Sequence, residues 1–551
     1  RSSILIFLPG VLEISNTIKE INKLSDNKFM ALPLHSGLTS AEQKSIFKTA
    51  PKGKRKVVVS TNIAETSITI PDCVAVIDTG KSKNLFFDHK LNTTKLIESW
   101  CSQAEVRQRR GRAGRVTAGT CYHLYTKETF EAMQKQPIPE IKRTRLENLY
   151  LVVKSMGISN VNEFLSSGLD APDKSSLDKA NQFLHEIGAL QENSLTKLGN
   201  YISYLPTDPQ SAKLLILGCI FGCLDICLTL AAISSTGSPF INSYEQRDKL
   251  KQIQKKFGNG QGDFISMANA YNAYMSNKSK RFLTENYLSY TTIKDITSTR
   301  SQYLSLLVEL GFVNRKLDDS CNKNAENWPL IRGIIAGAFY PQVARIQYPD
   351  PKYFKSSSGS IEIDPDARQI KFWIKSDGEL PAARVFIHPL SVLFNDNNSD
   401  FILDENYKDF LSKVSTDDGS IDYEKAREQY MQLAAQTPKS NVPMLLKDAF
   451  VAYRSSHHTT KLYVRDLTPT STFATLLFGG DFSYDLNITL GQTSPGIVID
   501  NWLPIRTWCK NGVLIKHLRR LIDSVIDEKL SNPESPLDED IFKVIERIIN
   551  L

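Results

Sequence analysis

The run Gln108-Arg109-Arg110-Gly111-Arg112-Ala113-Gly114-Arg115 carries the strongest chemical signal in the chain. Ser102-Gln103-Ala104-Glu105, immediately before it, has the spacing of a capping box, so a helix is predicted to start there and carry the run. On a helix Gln108, Arg112 and Arg115 stand at i, i+4 and i+7 and share a face, while Arg109 and Arg110 point elsewhere. Two guanidiniums and an amide on one face suit a phosphate group whose charge grows during transfer. A solvated basic helix or a plain phosphate patch would use the same arginines. Gly111 and Gly114 inside the run argue for close approach to something. A second segment, Ser60-Thr61-Asn62-Ile63-Ala64-Glu65-Thr66-Ser67-Ile68-Thr69-Ile70, follows the apolar strand Val57–Val59. Its hydroxyls and amides therefore lie at a strand's carboxyl end, where open α/β sheets bind ligands. A polar turn between strand and helix is the plain alternative.

These segments need a sheet to carry them, and the first part of the chain alternates strand and helix patterns. Ile4–Leu8 is a short apolar run, and Val11, Ile14, Ile18 and Ile21 then follow helical spacing. Ser40-Ala41-Glu42-Gln43 fits a capping box opening a helix that carries Ile46 and Phe47. Val57–Val59 and Val74–Ile77 are continuous apolar strands, as in a parallel sheet covered on both faces. From about Leu146 strands thin out. Leu146–Met156 and Ala180–Ile187 read as helices, Ala189–Leu195 as a small hairpin, and the chain is helical from about Ala212 to Ile335. Alternating runs return at Ser360–Ile363, Ile370–Ile374, Arg384–Ile387, Ala449–Tyr453 and Lys461–Val464, a spacing that suggests a small barrel. An acidic segment with Asp396, Asp400, Asp404 and Glu405 interrupts the barrel pattern, and the tail from about Val513 is again helical.

The 551 residues carry 67 Lys+Arg against 60 Asp+Glu, a net +7, and are 41% hydrophobic. This excludes a disordered, collagen-like or coiled-coil chain and permits nucleic acid as a partner without requiring it. The 8 cysteines are too thinly spread for a disulfide framework, so a reducing intracellular compartment is expected. The chain begins at Arg1 on an apolar strand, which suggests a piece of a longer protein. Leu214–Ile233 has the length of a membrane span, but Asp225 and its glycines make a buried core helix the better reading. Cys219, Cys223 and Cys227, at i, i+4 and i+8, read as small apolar side chains of that helix rather than metal ligands, and no metal site is predicted.

Phe7-Leu8-Pro9-Gly10, Leu34-His35-Ser36-Gly37-Leu38, Thr61–Ile70, Val76-Ile77-Asp78-Thr79-Gly80 and Gln108–Arg115 resemble, in order, motifs IV to VI of the DEAH-box RNA helicases. The RNA helicase A-like branch is nearest, through Gln108-Arg109-Arg110-Gly111, Gly222-Cys223-Leu224-Asp225 and Ser238-Pro239-Phe240. The resemblance covers nearly the whole chain. It implies a second RecA-like domain (1–141), a winged helix (142–210), a ratchet-like helical bundle (211–338), an OB-fold (339–482) with an acidic insertion near 395–441, and a C-terminal extension (483–551). It further implies that Gln108, Arg112 and Arg115 meet the ATP phosphates, with the arginines as fingers on the γ-phosphate. Phe47 would stack on adenine, Asp72 would lie near the ribose, and Ser67 would join the nucleotide site. Gly10, Ser36, Thr61, Asn62 and Thr69 would touch the RNA backbone. Lys81–Trp100 resembles the hairpin at which strands part, so that Lys81, Lys83, Lys90 and Lys95 would follow phosphates. His388-Pro389 and Tyr463-Val464-Arg465-Asp466 match the family's OB-fold signatures.

Helicases of this class also need a Gly-x-x-x-x-Gly-Lys-[Ser/Thr] loop and an Asp-Glu-x-His segment for Mg2+ and water. Gly80-Lys81-Ser82 has Ala75 where the loop's first Gly belongs, and Asp404-Glu405 and Asp527-Glu528 lack the His. Gly258-Asn259-Gly260-Gln261-Gly262 imitates a dinucleotide loop with the wrong spacing. The expectation is the C-terminal part of an ATP-dependent, 3′-to-5′ RNA helicase whose ATP and Mg2+ are held mainly by a preceding domain, so that these residues alone turn over no ATP. A non-catalytic RNA- or ribosome-binding protein built on the same scaffold is the alternative. The stretch Ile216–Phe240 most resembles the family member that works with the small ribosomal subunit, and a monomer in the cytoplasm, or alternatively the nucleus, is expected. The insertion Asn395–Asn441, longer than the usual family loop, marks a candidate partner site.

Overall fold

A computed structural model places the chain in two compact units, residues 1–145 with 165–174 and residues 146–164 with 175–551. The structure describes residues 2–24, 28–35, 38, 40–66, 68–88, 93–115, 118–241, 247–314, 317, 319–350, 352–356, 359–363, 369–376, 382–394, 448–459, 461–485, 496–507, 509–535, 540, 543–545 and 547.

The first unit is built on a five-stranded parallel sheet. Its strands are β1 (Ser3–Phe7), β2 (Phe29–Leu34), β3 (Arg55–Ser60), β4 (Cys73–Asp78) and β7 (Thr120–His123), in the order β2-β3-β1-β4-β7. Leu5 and Phe7 pack on one face with Leu34, Val58 and Val76, and Ile4 and Ile6 on the other with Ile14, Ile18 and Ile21 of helix α1 (Val11–Leu24). Both faces are covered, which is why the central strands read as continuous apolar runs. Of the outer strands, β2 is also an apolar run, interrupted by Pro33, and is not among the predicted strands, whereas β7 is mostly exposed Thr, Tyr and His and carries no such signal. Helix α2 (Ser40–Ser45) stops short of its predicted extent, leaving Ile46 buried and Phe47 exposed in the turn beyond it. The side chain of Ser40, the cap of its expected capping box, lies outside the described residues, and Gln43 Nε2 donates to the Leu38 carbonyl at 3.1 Å. Helix α3 (Ile63–Thr66) follows β3, and β5 (Lys81–Asp88) with β6 (Thr93–Trp100) forms the expected antiparallel hairpin. Helices α4 (Gln103–Arg110) and α5 (Lys127–Ala132) complete the unit.

The second unit opens with helices α6 (Glu147–Ser155), α7 (Val161–Ser166, partly in the first unit) and α8 (Lys174–Glu186), the small hairpin β8 (Leu190–Gln191) and β9 (Ser194–Leu195), and α9 (Lys197–Tyr204). A helical bundle follows: α10 (Pro209–Phe221), α11 (Leu224–Thr236), α12 (Arg247–Gly258), α13 (Asp263–Ser276), α14 (Lys280–Glu285), α15 (Tyr290–Glu309) and α16 (Trp328–Phe339). The single core helix predicted over Leu214–Ile233 is two, because the chain turns at Gly222, the left-handed cap of α10. Cys219 and Cys227 therefore sit on different helices, and Cys223 caps the second, with its sulfur 3.9 Å from that of Cys227. No described helix is long and apolar enough to cross a membrane. Asp225 is instead tied to Arg300 of α15 at 2.6 Å.

The barrel comprises β10 (Val343–Gln347), β13 (Lys371–Lys375), β14 (Ala382–Ile387), β15 (Phe450–His458) and β16 (Leu462–Thr470). Its order is β10-β13-β14-β16-β15, and β15 pairs back onto β10 to close it. Ser360–Ile363 falls in a separate hairpin of β11 (Lys352–Ser356) and β12 (Gly359–Ile363), and the first barrel strand, β10, lay outside the alternating runs. Beyond the barrel come α17 (Thr472–Phe478), a three-stranded sheet of β17 (Phe482–Asp485), β18 (Gly496–Ile499) and β19 (Leu503–Arg506) that the sequence pattern did not suggest, and α18 (Cys509–Ser531). The acidic insertion lies outside the described residues.

Candidate functional site

The capping box before the arginine run forms as predicted: Ser102 Oγ accepts the Glu105 amide at 3.2 Å and Glu105 Oε2 accepts the Ser102 amide at 2.6 Å. The helix it starts is shorter than expected, because α4 ends at Arg110 with Gly111 as its cap. Arg112 and Arg115 thus project from the turns after the helix, and the i, i+4, i+7 face does not exist as a helical surface. What brings the two arginines together is the loop after β3. Arg112 is buried, its Nη2 donating to the Glu65 carbonyl and its Nη1 to the Ile68 carbonyl at 3.4 Å. Arg115 donates to Thr69 Oγ1 at 2.6 Å. Gln108 is exposed on α4. Burial lowers the Arg112 pKa, and neighbouring Arg115 adds to the effect. A Cβ at Gly114 would meet nothing within 4 Å, so the run is open on that side.

The remaining expected residues divide by the two ends of the sheet. Gly10, Thr61 and Asn62 follow the carboxyl ends of β1 and β3. Asp72 stands at the amino end of β4, where Lys56 Nζ reaches Asp72 Oδ1 at 3.0 Å and the Ile46 carbonyl, next to Phe47, at 2.9 Å. One buried lysine thus joins the segments of Phe47 and Asp72, and Ser3 Oγ adds a bond to Asp72 at 3.0 Å. Ser67, Ser36 and Lys90 lie outside the described residues. Lys83 is held inside the fold, 2.8 Å from Glu13 and 3.8 Å from Glu98, and Lys81 lies 3.6 Å from the centre of the Trp100 ring. A Cβ at Gly10 would come within 2.6 Å of Glu13 Oε2 and 2.8 Å of Lys83 Nζ, the ends of two flexible side chains that can shift to make room.

Spacing and motif order assign no role to Arg109, Glu65 and Asp78 individually. Arg109 is 1% exposed; its Nε donates to Glu65 Oε2 at 3.1 Å, and its Nη1 to Asp78 Oδ1 at 2.9 Å and the Lys81 carbonyl at 3.2 Å. Its guanidinium lies 4.8 Å from the centre of the Phe7 ring. Burial raises the Glu65 pKa, and the Arg109 charge opposes the rise. Val106 and Arg109, at i and i+3 on α4, are both buried, so Arg109 shares the inward face of the helix with an apolar residue, and that spacing is the available sequence signal. In the second unit, His388 and Arg465 of the expected barrel signatures meet at 2.6 Å. They line a cavity of about 140 Å³ with Lys251, Gln254 and Asp466.

Four family descriptions match in chain order. They are the helicase conserved C-terminal domain over 1–117, the ratchet-like helicase-associated domain over 208–280, the oligonucleotide/oligosaccharide-binding fold over 331–482 and the C-terminal domain in RNA helicases over 496–551. The putative ATP-dependent RNA helicase YLR419W of Saccharomyces cerevisiae is 46% identical over 595 residues, covering 100% of this chain and 40% of its own length. The chain belongs to the DEAH-box RNA helicase family. Among other family members, DExH-box ATP-dependent RNA helicase DExH1 of Arabidopsis thaliana is 31% identical over 100% of this chain and 49% of its own length. The bovine ATP-dependent DNA/RNA helicase DHX36 is 30% identical over 97% of the chain and 47% of its own length. This DEAH-box chain thus spans less than half the length of these relatives and matches their C-terminal portion. The closed barrel agrees with the oligonucleotide/oligosaccharide-binding fold matched over 331–482, and the parallel sheet lies within the helicase C-terminal domain matched over 1–117.

Proposed function

We propose that this chain supplies the arginine-finger half of an ATP-dependent RNA helicase that moves along RNA 3′ to 5′. The observation that carries the reading is the Arg115–Thr69 hydrogen bond, with Arg112 bonded to the same loop. A residue expected to face the γ-phosphate and one expected to touch the RNA backbone share one bond, so a shift in either is felt by the other. Gln108, Arg112 and Arg115 would contact the phosphates, Phe47 and Asp72 the nucleoside, and Gly10, Thr61, Asn62 and Thr69 the RNA. Helices α6 to α9 with the hairpin β8–β9 support a winged-helix reading of the segment before the bundle.

The test is RNA-stimulated ATP hydrolysis by the full-length helicase carrying Arg112→Ala or Arg115→Ala. Loss of a finger is expected to lower turnover by about 10³-fold or more, and turnover unaffected by either change refutes the assignment. The 551-residue chain alone should bind RNA weakly, with affinity that falls as salt rises, and hydrolyse no ATP. A cytoplasmic role linked to the ribosome belongs to the same proposal, and co-sedimentation with the small ribosomal subunit is its measurement.

A further inference from the structure

Arg109 has the chemistry of a phosphate ligand and none of the access, since it is 1% exposed and bonded to two carboxylates and a carbonyl. Its partners show what it does. Asp78 is itself fixed, accepting the Gly80 amide and the Tyr125 hydroxyl, each at 2.9 Å. With one end of the guanidinium anchored there, its Nε holds the Glu65 side chain at 3.1 Å. The backbone carbonyl of that same Glu65 accepts the hydrogen bond from Arg112. Glu65 is therefore gripped through its side chain by one arginine and supports the other through its main chain.

We propose that Arg109 is a positioning residue that sets the resting place of the Arg112 guanidinium through Glu65. This rests on the finger reading of Arg112. The rigid guanidinium fork holds separate nitrogens on Glu65 and Asp78 at once, a fixed spread of donors that a lysine's single compact ammonium on a flexible stem does not reproduce. Without the bridge, Glu65 loses its anchor, and with it the carbonyls of Glu65 and Ile68 under Arg112 and the Thr69 hydroxyl under Arg115 lose their fixed place. The finger then starts from many orientations instead of one, which costs most where its placement matters most, in the transition state.

The experiment uses the full-length helicase with Arg109→Lys, Glu65→Ala, Glu65→Gln and, as a reference, Arg112→Ala. Four quantities are measured: thermal unfolding, kcat and KM for RNA-stimulated ATP hydrolysis, affinity for ADP, and affinity for ADP with aluminium fluoride, which mimics the transferring phosphoryl group. Arg109→Lys and Glu65→Ala are expected to leave ADP affinity within about twofold while lowering kcat and analogue affinity by about tenfold or more. Glu65→Gln keeps both the carbonyl and an acceptor for Arg109 Nε, and should recover most of the loss. Wild-type kcat and analogue affinity in Glu65→Ala would overturn the proposal. So would parallel losses of ADP and analogue affinity that track the fall in unfolding temperature, the pattern of a merely structural role. If Arg112→Ala leaves kcat unchanged, the finger reading itself fails. If it abolishes turnover while Arg109→Lys and Glu65→Ala do not, only the positioning role is lost.

Discussion

Gly262→Ala should loosen the seam between the helical bundle and the barrel. Gly262 precedes α13 with φ 100 and ψ 179, a region almost reserved for glycine, where another residue costs about 1–3 kcal/mol. An added Cβ would also lie 2.3 Å from the Leu467 carbonyl oxygen and 2.9 Å from Pro469 Cδ, so β16 must retreat by about an ångström to restore contact distance. The amide of that same Leu467 donates to Asp263 Oδ2 at 3.2 Å, and a retreat of that size takes it out of range. A buried amide left without its acceptor costs about 1–3 kcal/mol. The substitution is therefore expected to destabilise the second unit by about 2–6 kcal/mol. Gly157→Ala is the control: φ is 82 there, but nothing lies within 4 Å of the new Cβ, so only conformational strain of about 1–2 kcal/mol remains. The assay is thermal unfolding combined with hydrogen exchange of peptides spanning 390–393 and 465–469. Gly262→Ala should lower the unfolding temperature more than the control and deprotect both peptides. Equal melting of the two variants, with protection intact, would refute the steric argument.

Two further outcomes follow from named contacts. Asp263 accepts bonds from Ser391 Oγ at 2.7 Å, the Val392 amide at 2.6 Å and the Leu467 amide at 3.2 Å, yet burial pushes its carboxyl up to about 6. The folded state thus binds this proton more tightly than the unfolded state, and its contribution to stability is lost as pH rises from about 3.8 to about 6. Relative to Asp263→Asn, which does not titrate, the wild type should lose up to about 3 kcal/mol across that window in urea unfolding, and a pH-independent difference would count against it. Gly114→Ala should leave melting unchanged, since nothing lies within 4 Å of the new Cβ, but lower RNA-stimulated ATP hydrolysis in the full-length helicase if a second domain closes there. Wild-type hydrolysis would show that this glycine serves no close approach.

Much of this architecture was legible in the sequence because it is written in local patterns. The apolar runs at β1, β3 and β4 announce a sheet covered on both faces, the Ser102–Glu105 box forms where its spacing places it, and the hairpin over Lys81–Trp100 closes as read. The order of the motifs from Phe7-Leu8-Pro9-Gly10 to Gln108–Arg115 likewise carries the family resemblance. Strand β2 escaped because Pro33 breaks its apolar run, β7 because its exposed polar side chains carry no apolar pattern, and the sheet β17–β19 because its short strands carry little periodicity.

What only the tertiary structure decided is which arginine does what. Local spacing treats Gln108, Arg112 and Arg115 as one helical face and sends Arg109 elsewhere, but α4 stops at Arg110 and the loop after β3 supplies the partners. The carboxylates that bury Arg109 stand 44 and 31 positions away in sequence, and the carbonyls under Arg112 stand 47 and 44 away. No local period encodes separations of that kind. Residue types and motif order determined that hydroxyls and amides would follow the carboxyl end of a strand in a parallel sheet, and that arginines suited to phosphate would stand nearby in the fold. The packing of β1, β3 and β4 side by side determined that Glu65, Asp78 and Phe7 would converge on Arg109, and that Arg112 would rest on the Glu65 backbone.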